Sequence, residues 1–364
     1  MILKHQQVQG VTRIMIQGHY LHTHDGQFVQ SGVFISDKET VSETANYLKE
    51  NKKDQPLRKL IIFVESGLEA VAKVAERAAI ITSFVKRSSP SLFPLFVIWN
   101  EDVEDLLIDL LEARSKRIEE TTGGLPEATK SHLIRYAQNW LQPVWRTFEG
   151  EAERAFLNDD SIVQRGQGWW SINEIISNAV TSNTPMNIHF VAHSSGLVWL
   201  SQFARRIRDM ESSLVGPLSS QESRRDSICS LDLLAPVGTI NSIEGIVSSL
   251  WGDLPGQKST NLRKRVRVFT LPTNQDLMTR LGGFQGSFLE LARLAFPIDG
   301  NNPTRSDPNN LIGSRSWKPI EPLPAWLEFK EIESIISTGD LPEHSELMND
   351  GRLLSFLLDS ALDP

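Results

Sequence analysis

The sequence predicts an α/β protein whose mostly parallel sheet is covered by helices on both faces, and three observations predict it. Lys59–Val64 (KLIIFV), Phe93–Trp99 (FPLFVIW) and Ile188–Ala192 (IHFVA) are apolar almost throughout rather than at alternate positions, the pattern of strands buried on both faces. Such runs alternate with helical patterns long enough to carry the chain back across a sheet. At residues 186–199, MNIHFVAHSSGLVW, an apolar strand meets His193-Ser194-Ser195-Gly196 and a helix-like segment follows at once.

The elements follow in order. Val11–Ile16 and Gln27–Ile35 flank the polar turn His24-Asp25-Gly26 and are expected to form an N-terminal hairpin. Glu39–Glu50 reads as a helix. Lys59–Val64 is a strand ending at Glu65-Ser66-Gly67, and the alanine-rich Leu68–Val85 is a helix. The strand Phe93–Trp99 precedes a helix over Glu101–Arg117. Residues 118–183 lack a strong strand and hold several helical patterns, notably Ser131–Asn158, with Trp140, Trp145, Trp169 and Trp170. They are expected to form a helical insert within one domain spanning 1–364, its tryptophans serving as core or as an apolar lid. Alternation then resumes: strand Ile188–Ala192, helix Leu197–Met210, strand Ile228–Leu234, helix Ser242–Trp251, strand Val266–Leu271, helix Ser287–Phe296, and a last helix over Asp350–Leu362. Polar joints lie at Ser219–Asp226 and Gly300–Asn310.

Composition narrows the function classes. The 364 residues are 40% apolar and 23% charged, which is ordinary for a globular chain. A net charge of −8 argues against nucleic acid and gives no support to an anionic membrane surface. The basic run Arg263–Arg267 leads into Val268–Leu271 and reads as the solvated start of a strand. The single cysteine, Cys229, cannot form an internal disulfide and is expected to be a buried core thiol. No run approaches the ~18 apolar residues of a membrane helix, and MILKHQQVQG lacks the apolar segment of a signal peptide. A soluble, cytoplasmic protein is expected. With one cysteine and no paired histidines at helical spacing, no metal or other cofactor is expected. Gly282-Gly283-Phe284-Gln285-Gly286 lacks the lysine of a phosphate loop and reads as a surface loop.

The strand–turn–helix at 186–199 carries the chemistry. It fits small-x-Ser-x-small, with Ala192 and Gly196 small because strand and helix backbones pass closely there. Ser194 is the candidate nucleophile. A serine hydroxyl needs a base, and the base needs an orienting acid. Of eight histidines, His5 is terminal, His19, His22 and His24 belong to the first hairpin, and His132 to the insert. His189 lies inside the strand, and His193 precedes Ser194 so that its side chain should diverge. His344, in a late loop before the last helix, is the candidate base. Asp276, just after a strand end, is the favoured acid, with Asp299 and Asp307 as rivals. The oxyanion hole would use the amide of Ser195 and that of Gly67 or Leu68.

These segments together resemble the α/β-hydrolase superfamily, and within it a group of little-characterised bacterial serine hydrolases. Val64-Glu65-Ser66-Gly67-Leu68 stands where that group has a His-Gly-Gly-Leu-like turn. Pro94–Trp99, followed by Glu101-Asp102, is similar to its Trp-ended strand. Val191–Gly196 resembles its Gly-His-Ser-x-Gly elbow, Leu233-Leu234-Ala235-Pro236 its Ala-Pro strand end, and His344–Asp350 its catalytic-histidine loop. The resemblance implies an α/β-hydrolase fold with a helical cap and a Ser-His-Asp triad. It also implies cleavage of an ester or related acyl bond in a small-molecule or acyl-containing substrate; a protein partner could dock on the insert. Two departures stand out. Ala192 replaces the first elbow glycine, and Glu65-Ser66 replaces His-Gly in the oxyanion turn. A carboxylate there opposes an oxyanion unless it points away or pairs with a cation, so a catalytically silent binding or signalling module is the alternative.

Overall fold

Alternation within the buried strands decides the layers. A computed structural model describes residues 13–51, 54, 56–99, 112–118, 146–157, 166–213, 227–251, 265–270, 280–281, 284–285, 327–332 and 350–362, with isolated positions at 109, 120, 132, 135–136, 139 and 312. The strands are β1 (Tyr20–His24), β2 (Gln27–Phe28), β3 (Lys59–Val64), β4 (Leu92–Trp99), β5 (Asn187–His193), β6 (Ile228–Leu234), β7 (Arg265–Thr270), β8 (Arg280–Leu281), β9 (Phe284–Gln285) and β10 (Leu327–Glu331). The helices include α1 (Arg13–Ile16), α2 (Lys38–Glu50), α3 (Val71–Ser88), α4 (Gln167–Val180), α5 (Gly196–Ser213), α6 (Ile240–Trp251) and α7 (Gly351–Leu362), and residues 112–118 and 146–154 are helical as well. In β3, Leu60, Ile62 and Val64 join a core with α2, α4, α5 and α6, whereas Ile61 and Phe63 join a second core with α1, α3 and α7. Side chains two apart share a face, so a strand that is apolar at every position must be covered twice. The expected α/β architecture with helices on both faces is what the chain adopts.

One sheet runs in the order β10-β7-β6-β5-β3-β4-β1-β2, and all its pairings are parallel except β1 with β2. From β3 the chain crosses through α3 to β4, towards one edge; from β5 it crosses through α5 to β6, towards the other. The strand order therefore reverses between β3 and β5. Ligands of open α/β sheets bind beyond the carboxyl ends of the strands at such a switch point.

The N-terminal hairpin is real but displaced from its expected place. Its first strand is Tyr20–His24, not 11–16, and Arg13–Ile16 is a helical turn. YLHTH looks polar, yet His22 is buried with its Nδ1–H on the Phe34 carbonyl at 2.7 Å and its backbone N–H on Ser36 Oγ at 2.9 Å. The turn has Asp25 at φ 51° and Gly26 at φ 76°, the left-handed pair of a two-residue hairpin. The second strand is only Gln27–Phe28.

Two further expectations change. The basic run is not solvated at its last residue: Arg267 is buried in β7 and pairs with Asp232, while Arg263 and Lys264 lie outside the described residues. The glycine-rich segment contributes strands to a small hairpin, Arg280–Leu281 against Phe284–Gln285. Cys229 lies half-buried in β6. Among the described residues, no helix is long and apolar enough to cross a membrane.

Burial of neutral histidines makes stability depend on pH. Burial pushes His22 down to about 4, against the opposing Phe34 bond. It pushes His189 down to about 3, helped by Lys59 and Arg267. With folded values below the unfolded 6.5, the unfolded chain takes up protons first as pH falls. The stability contribution is complete above about pH 6.5 and is lost towards pH 4 for His22 and pH 3 for His189, at about 1.4 kcal/mol per pH unit for each. The urea midpoint should therefore fall steadily from about pH 6.5 to about pH 4.5, and less steeply in His22→Asn; a flat profile would contradict the assignment.

Candidate active site

Ser194 closes β5 with φ 52°, a left-handed backbone for a non-glycine residue that costs roughly 1–3 kcal/mol. Its neighbours hold it there. The Ser194 N–H donates to the Leu234 carbonyl at 2.9 Å, and the Ser194 carbonyl accepts from the Val237 N–H at 3.1 Å. The segment doing this is itself bent at Ala235, φ 42°, whose N–H donates to the Phe269 carbonyl at 2.8 Å. The Ala-Pro strand end is thus the clamp of the elbow.

Gly196 opens α5 directly against the carboxyl end of β3. A Cβ there would lie 2.3 Å from the Val64 carbonyl oxygen and 3.1 Å from that of Glu65. Both obstacles are backbone, so nothing can rotate aside. Gly196→Ala is expected to destabilise the fold by about 1–3 kcal/mol or more and to displace Ser194. Urea denaturation would show it; an unchanged midpoint would contradict the close approach.

The adjacent serines differ. Ser195 is fully buried, and its hydroxyl lies 3.0 Å from Ser66 Oγ. No hydrogen bond to the Ser194 hydroxyl occurs among the described residues, although Ser194 is only 1% exposed. Ser195 therefore ties α5 to the turn after β3, and Ser194 holds the strained position.

That turn, Glu65 to Glu69, precedes a helix that begins at Val71 rather than at the expected Leu68. The Leu68 N–H donates to Ser66 Oγ at 3.4 Å, and the Glu69 N–H to the Ser66 carbonyl at 3.2 Å. Gly67 is pressed against β4 and the insert: a Cβ would meet Phe148 Cε2 at 2.8 Å and the Trp99 carbonyl oxygen at 2.9 Å. Trp99 Nε1–H donates to the Glu65 carbonyl at 2.9 Å, and its ring lies 4.4 Å from Phe148.

Glu65 does pair with a cation. Arg77, from the middle of α3, is 1% exposed and its Nη1 binds Glu65 Oε2. The same guanidinium bonds Glu69 through Nη1 and Nη2 at 2.9 and 2.8 Å. His193 Nδ1 lies 3.7 Å from Glu69 Oε2. Burial works against the ionised form of Glu69, but His193 and Arg77 outweigh it and hold the carboxyl well below the usual range. Glu65 has one contact with the guanidinium, and its buried Oε1 has no hydrogen-bond partner among the described residues. Burial therefore wins over Arg77 and raises Glu65, with Glu69 adding to the rise. Glu65, Glu69 and His193 also lie close enough to hold a metal ion, but the guanidinium already supplies a positive charge to both carboxylates. Arg77 was legible in principle: its spacing from Val74, Ala78 and Ile81 puts it on the buried face of α3.

The described part of 118–183 meets this edge. The Gly26 turn is joined to residues 151–155 through Glu151 and Arg154, and Phe156 stacks edge-on to Trp199 of α5 at 4.6 Å. The end of that stretch, α4, covers the sheet itself through Ile172, Ile175 and Ile176. Trp169 packs against Phe203 and Trp170 against Phe28; Trp140 and Trp145 lie outside the described residues.

Asp276, Asp299, Asp307 and His344 also lie outside the described residues. The chain leaves the sheet at the carboxyl ends of β7 and β10, on the Ser194 edge, before the segments that carry Asp276 and His344. It returns at Asp350, whose carboxylate accepts the Arg352 and Leu353 N–H groups and caps α7.

No protein-family model, characterised protein or solved structure matches the chain. The functional reading rests on the site itself.

Proposed function

We propose that the protein is a serine hydrolase that cleaves an ester or related acyl bond through an acyl-enzyme intermediate. The observation that carries this reading is the left-handed Ser194 at the topological switch point, seated between β3 and β5 by Gly196. In this reading the Ser194 oxygen bonds to the substrate carbonyl carbon while His344 takes the hydroxyl proton. Asp276 orients His344. The carbonyl oxygen becomes an oxyanion held by the amides of Ser195 and of Gly67 or Leu68, with Gly67 favoured because the Leu68 amide already faces Ser66 Oγ. The alkoxide leaves with the proton from His344, and water repeats the sequence to release the acid. Arg77 pairs with the carboxylate of Glu65, the group that otherwise opposes an oxyanion here.

A fluorophosphonate probe tests the reading. Wild type and Ser195→Ala should label and Ser194→Ala should not; labelling of Ser194→Ala at the wild-type rate would overturn it. Loss of His344 should reduce ester turnover by about 10³-fold or more. One observation favours the silent-module reading: Ser194 is 1% exposed. A folded wild type that does not label and turns over no p-nitrophenyl ester of any chain length would decide for it.

A further inference from the structure

We propose that the cleft at the amino-terminal edge of the sheet, between α2, the end of α3 and the starts of β1 and β4, binds a small, uncharged, planar aromatic molecule that carries a ring N–H or O–H donor. The cleft has a volume of about 420 Å³, within the range of small-molecule sites. It lies at the opposite ends of the strands from Ser194, and its argument does not depend on that serine.

The recognition group is His19. Its Nδ1 lies 2.8 Å from the Pro94 carbonyl oxygen. A carbonyl can only accept, so Nδ1 carries the proton and Nε2 offers a lone pair. Nε2 makes no hydrogen bond among the described residues. The ring is locked in place, stacked on Phe93 with centroids 4.5 Å apart and planes 24° apart. Burial pushes His19 down to about 4, against the Pro94 bond and helped by Lys86, so the acceptor persists at neutral pH. Tyr47 of α2 lies 5.9 Å from Phe93, is 53% exposed and lines the cleft. A fixed acceptor on a stacked ring, with Phe93 and Tyr47 beside it, suits a flat π-system with one donor. Glu43 and Lys86 both line the cleft, so their charges offset and neither sign of ligand is favoured.

Isothermal titration of the full chain with indole and with 1-methylindole tests this. Indole should bind saturably, and 1-methylindole, which keeps the ring but lacks the donor, about tenfold more weakly because Nε2 is left unpaired. Tyr47→Ala, at an exposed helical position, should weaken indole several-fold without unfolding the chain. His19→Asn keeps a donor for Pro94 and loses Nε2, so the two probes should then bind alike. Ser194→Ala should bind indole as wild type does. Absence of saturable indole binding up to about 5 mM, equal affinities for the two probes in wild type, or an unchanged affinity in Tyr47→Ala would overturn the proposal.

Discussion

Replacing Arg77 with alanine should remove about 3–5 kcal/mol of stability at neutral pH. The guanidinium is almost wholly buried and is shared by Glu65 and Glu69, which are 1% and 5% exposed. Alanine leaves two carboxyl groups side by side in a dry environment without the cation they share, with His193 Nδ1 3.7 Å from Glu69. Glu65, already raised, would rise further, and Glu69 would rise above the usual carboxylate range, because burial and mutual repulsion then act together. A raised folded value contributes stability below the unfolded pKa and loses it as pH rises through the folded one. The difference between variant and wild type should therefore narrow as pH is lowered from neutral towards about 5. Glu65→Gln in the Arg77→Ala background should restore part of the loss at neutral pH. Urea midpoints at two pH values check this; a pH-independent difference would mean that lost packing, not uncompensated charge, is the cause. Glu65 and Glu69 bracket the turn that faces Ser194, so any reactivity of that serine should fall with the stability.

Asp232→Ala should be comparably damaging, at about 3–5 kcal/mol. Asp232 of β6 and Arg267 of β7 are paired in register, and Arg267 Nε and Nη2 bond the two carboxylate oxygens at 2.6 and 2.5 Å. The guanidinium also lies within 5.7 Å of the ring centroids of Phe269 and Phe356, which fixes it against α7. Removing the aspartate leaves a cation that cannot reach water. Replacing both residues by apolar groups of similar volume should recover most of the loss, since the pair is worth little more than the packing that could replace it. A double-mutant cycle on unfolding free energy reads the coupling directly. If the double variant is as unstable as Asp232→Ala, the register itself depends on the pair.

Elements whose burial is expressed locally were legible in the chain. KLIIFV and FPLFVIW declare two covered faces by having no polar face, and β3 and β4 lie where they were expected to within a residue. The elbow was legible for the same reason: a strand, a small residue and a helix in direct succession leave one way to turn, and Ser194 does adopt the left-handed backbone. The first hairpin was misplaced because YLHTH hides its burial behind histidine and threonine; the His22 ring Nδ1–H meets the Phe34 carbonyl and the His22 backbone N–H meets Ser36 Oγ, 12 and 14 residues away.

The order of polar and apolar residues along the chain thus determined the sheet, its two covered faces and the position of the strained serine, since each follows from side-chain periodicity and backbone sterics within a few residues. The charges were decided only in three dimensions. Glu65 reads as an opponent of catalysis until α3 turns Arg77 onto it from twelve residues away, and Arg267 reads as solvated until strand register sets it opposite Asp232, 35 residues earlier. A charge's partner depends on which helix face turns inward and which strands lie side by side, and both are set by packing between segments that the sequence does not place next to each other.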